Sequence, residues 1–326
     1  HRSADRLVRG PGPSDHAVLI EARTAAGSTS EFGHTRPMKV RPLPGVPGDS
    51  VISALRAAQM KFENVRGGYH TGIDMFNGYL REANEQVRML RSVLPAADMD
   101  RLITTPRYWM LQSVDPAGKL PVLASMIEVE LAHKIAVLEE AIKGLGEQRD
   151  LYANADLILV PDTNVLLHHP RSIEHVPWGE LAPSGAQRVI VAVPILVVDE
   201  LDKAKRRTDK IENGKEATRT RARRTLKTLD AGFANGFSYD VPGTTAPVIQ
   251  VTLVLDDPDR PRLPDADFEI IDTAMAIRDV TGARVKIVSD DRGLRFRARA
   301  AQVLAEAPPG MDTDQLGQAR LGDVTA

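Results

Sequence analysis

Residues 155–167 read ADLILVPDTNVLL. The run ADLILV predicts a short apolar strand that delivers Asp162 just past its end. Three further stretches repeat the arrangement. VIVAVP (189–194) leads through ILVVDE to Glu200, Asp267 heads the helix-like DFEIIDTAMAI (267–277), and VKIVSD (285–290) runs into Asp291. In an open parallel α/β sheet, sites form outside the carboxyl ends of the strands, so acids from distant parts of a chain can converge there. Carboxylates a few ångströms apart repel and raise one another's pKa. Hard cations such as Mg2+ or Mn2+ neutralise such a cluster through oxygen ligands and hold a phosphodiester, so the pattern points to metal-dependent phosphodiester chemistry.

The same runs set the fold class. From about residue 153 the order is strand, helix, strand, helix, basic helix, strand (Val248–Leu255), helix, strand, which predicts a mostly parallel sheet with helices on both faces. Before it, from Asp49, the pattern is helical. Phe76, Leu80, Ala83, Val87, Leu90 and Leu94 form one seam at alternating spacings of four and three, and Leu131, Ile135, Leu138, Ile142 and Leu145 form another. The two seams predict a helical hairpin, with a homo-oligomer through the same seams as the alternative. Pro106, Tyr108 and Trp109 fall in the link and are expected to anchor its core. The chain thus divides into a Pro/Gly-rich tail (1–48), a helical domain (49–152), an α/β domain (153–310) and a C-terminal tail (311–326).

With no cysteine among its 326 residues, the chain has no disulfide, thiolate zinc site or cysteine nucleophile, in keeping with a cytoplasmic protein. Its longest apolar stretch, Val189 to Val198, is too short to span a bilayer, and the first residues lack the order of a secretory signal. The formal net charge of −2 hides an uneven distribution. Between Lys203 and Lys227 lie 11 Lys or Arg and three acids. This run starts three residues after Glu200, where Lys203, Lys205, Arg206, Arg207, Arg221, Arg223 and Arg224 would bind a phosphate backbone without reading sequence. Asn213-Gly214 is a turn signal that splits the run. The acidic, proline-rich loop between Asp256 and Asp267 lacks calcium-loop spacing and is expected to be solvent-exposed.

Helical geometry selects among neighbouring acids. At 100° per residue Ile270, Ile271 and Ala274 lie within about 60° of Asp267, while Asp272 points about 140° away. Glu200 is favoured over Asp199, with Pro194 as a first helical residue. His168 and His169 close the helix after Asp162, ahead of Pro170, and adjacent residues face different ways, so a helix-end role is expected of them. There is no G-x-S-x-G elbow and no Walker A loop.

Taken together, these fragments resemble the PIN-domain ribonucleases, in the larger form that carries extra domains. The matching residues are Asp162-Thr163-Asn164, Pro194-x-x-Val197-x-x-Glu200-Leu201, Asp267-x-x-Ile270 with Ala274, and Ser289-x-Asp291 with Leu294 and Ala298. Two positions depart from the family pattern: Ser289 stands where Thr is usual, and Phe268 where a second acid often sits, which leaves Asp265 as a rival ligand.

The resemblance implies a three-layer α/β/α domain and a nuclease in which Asp162, Glu200, Asp267 and Asp291 bind one or two Mg2+ or Mn2+ ions. It also implies hydrolysis of single-stranded RNA by a metal-activated water, leaving a 5′-phosphate and a 3′-hydroxyl. Thr163, Asn164 and Ser289 would then support the ligands. A PIN-like module that binds nucleic acid or protein without cutting remains the alternative. A phosphoacceptor role for Asp162 is weaker, because position 164 is asparagine and not the second acid of a D-x-D pair.

Overall fold

A computed structural model of the protein describes residues 40–68, 72–115, 120–206, 217–257 and 260–310. Six strands form one sheet: β1 (Leu157–Pro161), β2 (Arg188–Pro194), β3 (Ser238–Asp240), β4 (Val248–Val254), β5 (Val285–Val288) and β6 (Leu304–Glu306). Their order is β3-β4-β2-β1-β5-β6, and every pairing is parallel except that of β3 with β4. All five residues of β1 and the last six of β2 are buried, as unbroken apolar runs require when both faces are covered. The expected mostly parallel α/β/α architecture is therefore present. The edge strands β3 and β6, three residues each, have no sequence run long enough to announce them.

Three helices attach to the ends of the central strands. They are α6 (Thr163–His168) after β1, α7 (Ile195–Ala204) after β2, and α10 (Arg292–Ala300) after β5. Pro194 ends β2 and caps α7, one position before the first helical residue. The basic helix α8 (Thr218–Gly232) packs on both α6 and α7, and Thr225 Oγ1 donates to the Leu166 carbonyl at 3.1 Å. On β5 lies α9 (Ala266–Thr281), which also touches α10. Arg207 and Asn213-Gly214, in the segment between α7 and α8, lie outside the described residues.

Ahead of the sheet are α1 (Gly48–Gly68), α2 (Gly72–Leu90), α3 (Ala96–Leu102), α4 (Pro106–Gln112) and the 31-residue α5 (Leu120–Asp150). The two seams read from sequence lie on α2 and α5, and a third helix, α1, packs against both. Its buried Val51, Ile52, Leu55, Ala58, Phe62 and Val65 recur at helical spacing, and each fully buried side chain of this size contributes roughly 1.5–3 kcal/mol. Phe76, Tyr79, Ala83 and Leu90 of α2 are buried within the same chain. Of the three expected core anchors in the link, Tyr108 is buried, but Pro106 is exposed and Trp109 is 60% exposed. On a helix as short as α4 only one face can turn inward, and Tyr108 with Leu111 occupies it.

Inside this helical core sits a polar cluster. Lys134 and Glu130 of α5 are fully buried and paired at 2.9 Å, and Thr105 and Tyr79 also donate to Glu130, at 2.8 and 3.3 Å. Burial pulls the Lys134 amine below its ordinary range. For Glu130, burial pushes the other way, but Lys134, Thr105 and Arg107 together hold the carboxyl low.

The helical part and the sheet meet along α9. Val280 belongs to the helical core, and the Gly48 backbone presses on the Val280 carbonyl so closely that a Cβ there would lie 2.4 Å from its oxygen. Residues 40–47, whose composition reads as tail, are held in this seam: Val40 is buried, the Leu43 N–H donates to the Val93 carbonyl at 2.9 Å, and Arg41 pairs with Asp272 at 2.7 Å. The loop before α9 is likewise more engaged than its composition suggests. Arg260 pairs with Glu269 and Asp272, and Arg262 bridges Asp199 and Asp256 at 2.7 and 2.6 Å.

Candidate active site

The carboxyl ends of β1 and β5 lie side by side. Pro161 pairs with Val288, the Asp162 N–H donates to the Val288 carbonyl at 2.9 Å, and Asp162 then caps α6. From β1 the sheet grows through β2 to β4 on one side, and β5 returns on the other. This is a switch point, where α/β sheets place their ligands.

Asp162 is buried. Ser289 Oγ donates to Asp162 Oδ2 at 2.9 Å, and the same hydroxyl oxygen accepts from the Asp291 N–H at 3.0 Å. The Asp162 carboxyl is pushed up to about 6, chiefly by burial; the Ser289 hydrogen bond opposes the rise and the negative charge of Asp267 adds to it. Next in the chain, Thr163 is also buried, and its Oγ1 donates to Glu200 Oε2, tying α6 to α7. Asn164 is exposed.

Asp267 stands in the first turn of α9. Asp265, the rival ligand, serves as the cap: its Oδ1 accepts from the N–H groups of Asp267 and Phe268 at 2.9 and 3.3 Å. Asp267 itself is ion-paired with Arg297 of α10, whose guanidinium lies 6.0 Å from the centre of the Phe268 ring. Asp291 caps α10 in turn, with Oδ1 accepting from Gly293 N–H at 2.6 Å and Leu294 N–H at 3.3 Å.

Hydrogen bonds thus join Asp162, Thr163, Glu200, Ser289 and the Asp291 backbone, and charge couples Asp267 to Asp162. Among the described residues, no three Asp, Glu or His side chains are gathered closely enough to hold a metal ion. Two of the acids are otherwise engaged: Asp267 by Arg297, and Asp291 by the amides it caps. The donor chemistry, carboxylate oxygen throughout, nevertheless suits Mg2+ or Mn2+.

Both histidines are helix-end residues. His168 closes α6 with its side chain exposed, and partial desolvation by its neighbours, reinforced by the charge of Arg221, lowers its pKa against the pull of Asp290. His169 is buried, with Nε2 2.9 Å from the Pro309 carbonyl oxygen. Of the basic residues, Lys203, Lys205 and Arg206 lie at the end of α7, the last two paired with Asp202. Arg221, Arg223 and Arg224 lie on α8. Sequence reasoning missed Arg297. It is one of four arginines in RGLRFRARA (292–300), and no local signal marks the one that turns toward α9.

Residues 159–308 match the family model described as PIN domain. This part of the chain is a PIN domain. Its match covers all four acids and the adjoining carboxyl ends of β1 and β5, and PIN domains are typically nucleases that use divalent metals and act on nucleic acids. None of the curated proteins matches the chain. Among the described residues, no helix of the PIN domain or of the region before it is long and apolar enough to cross a membrane.

Proposed function

We propose that the PIN domain is a divalent-metal-dependent ribonuclease acting on single-stranded RNA. The observation that carries this reading is Asp162: a buried acid at the switch point, its carboxyl raised to about 6, facing the charge of a second acid. Structural ion pairs can perturb a carboxylate, but a raised and buried one at the carboxyl ends of adjacent parallel strands has the character of a functional group.

In this reading Asp162, Glu200, Asp267 and Asp291 would hold Mg2+ or Mn2+. The bound cation supplies charge neutralisation at the phosphate and makes a nearby water more acidic. Ser289 and Thr163 hold Asp162 and Glu200 in place, as supporting hydrogen bonds do in metal sites, and Asn164, exposed in the first turn of α6, supports them. The water oxygen bonds to phosphorus as the bond to the 3′ oxygen breaks, leaving a 5′-phosphate and a 3′-hydroxyl. Lys203, Lys205, Arg206, Arg221, Arg223 and Arg224 contact the RNA backbone, a role supported by the packing of α8 on both α6 and α7.

A second reading, binding without cleavage, draws on the engagement of Asp267 by Arg297. Two of the acids on α9, Asp267 and Asp272, separate the readings. Asp267→Asn is expected to lower Mn2+ affinity and cleavage of labelled single-stranded RNA by at least about tenfold, whereas Asp272→Asn, whose carboxylate is paired with Arg41 and Arg260, leaves both within about twofold. RNA binding without cleavage by the unmodified protein in Mn2+ would favour the second reading.

A further inference from the structure

Arg297 presents its guanidinium to the carboxylate that a cation would need. It is ion-paired with Asp267, and the pair is part-exposed, with side-chain accessibilities of 41% and 28%. It also borders Asp291. A Cβ built on Gly293 would lie 3.0 Å from Asp291 Oδ1 and 3.5 and 3.7 Å from the two terminal nitrogens of Arg297, so one point is shared by the Asp291 carboxylate and the guanidinium. The charge of Asp267 is felt in turn at Asp162. One fixed positive charge therefore sits beside two of the four acids assigned to the metal, and the first of them, Asp267, acts in turn on Asp162.

We propose that Arg297 is the site's own counter-ion, holding Asp267 in the metal-free protein and competing with the divalent cation for it. The inference rests on the nuclease reading. A guanidinium stays charged at any pH at which the protein folds, so this competition cannot be relieved by deprotonation and ends only when the side chain swings away. Phe268, half-exposed and within cation–π range of the guanidinium, gives the released arginine a place to rest on the same surface. Arg297 thus sets how much cation is required to assemble the site, and Gly293 keeps the shared space open for the exchange.

The test is Mn2+ binding to the full chain, followed by the paramagnetic signal of the free ion in the absence of RNA, for the unmodified protein, Arg297→Gln, Arg297→Lys and Asp267→Asn. Arg297→Gln is expected to bind Mn2+ about tenfold tighter, as removal of one unit charge a few ångströms from a part-exposed ligand implies. Arg297→Lys, which keeps the charge but not the forked donors, should fall between Arg297→Gln and the unmodified protein. Arg297→Gln binding no tighter than the unmodified protein overturns the competition while leaving the nuclease reading intact, provided Asp267→Asn weakens binding. Mn2+ binding to none of the proteins overturns both.

Discussion

Ser289 Oγ and Asp162 Oδ2 are 2.9 Å apart, a hydrogen bond across 127 residues that joins the ends of β1 and β5. The serine also accepts the Asp291 N–H, so one buried hydroxyl positions two of the acids. Ser289→Ala removes the donor from a buried carboxylate, and the expected loss is about 1–3 kcal/mol of stability in urea unfolding, together with a 10- to 100-fold loss of Mn2+ affinity. An unchanged affinity would show that the serine has no part in holding the site.

The raised Asp162 carboxyl makes stability pH-dependent in a definite direction. Because its folded pKa of about 6 lies above the ordinary Asp value, the folded chain takes up a proton more readily than the unfolded one. Its stabilising contribution is complete below about pH 4 and is lost as pH rises through 6. In EDTA, Asp162→Asn should therefore stabilise the fold at pH 7, by up to about 3 kcal/mol, and flatten the pH dependence between 4 and 6. A less stable Asp162→Asn protein at pH 7 would contradict this.

The sheet was legible in the sequence because its central strands are short runs dominated by apolar, mostly β-branched residues, as in LILVP before Asp162 and VKIV, with its single lysine, before Ser289 and Asp291. The start of α9 was legible to within a residue of Asp267, but the role of Asp265 was not: it reads as a rival ligand and serves as the helix cap. Three-residue edge strands carry too little pattern to read. Pairings such as Arg297 with Asp267, Thr163 with Glu200 and Arg41 with Asp272 depend on which way a side chain turns after distant elements pack, and charge spacing along the chain does not encode that.

Replacing Arg221, Arg223 and Arg224 on α8 by Ala should weaken binding of unrelated single-stranded RNAs alike. The slope of log affinity against log salt should shrink by about 0.7 for each phosphate that is no longer neutralised. Weakening confined to one RNA sequence, measured by fluorescence anisotropy, would mean these arginines read bases.

In the helical core, Lys134→Met strands the buried Glu130 carboxylate and should cost about 3–5 kcal/mol in urea unfolding. Adding Glu130→Gln removes the uncompensated charge and should recover a large part of that loss. If the double variant were no more stable than Lys134→Met alone, the charge on Glu130 would not be the source of the cost.

The most direct measurement is cleavage of end-labelled single-stranded RNA by the full chain in Mn2+, in EDTA, and in Mn2+ with Asp162→Asn. Cleavage in Mn2+ that stops in EDTA and in the Asp162→Asn protein, with 5′-phosphate ends on the products, is the expected result. Cleavage that continues in EDTA or survives Asp162→Asn would contradict a metal-dependent nuclease centred on Asp162.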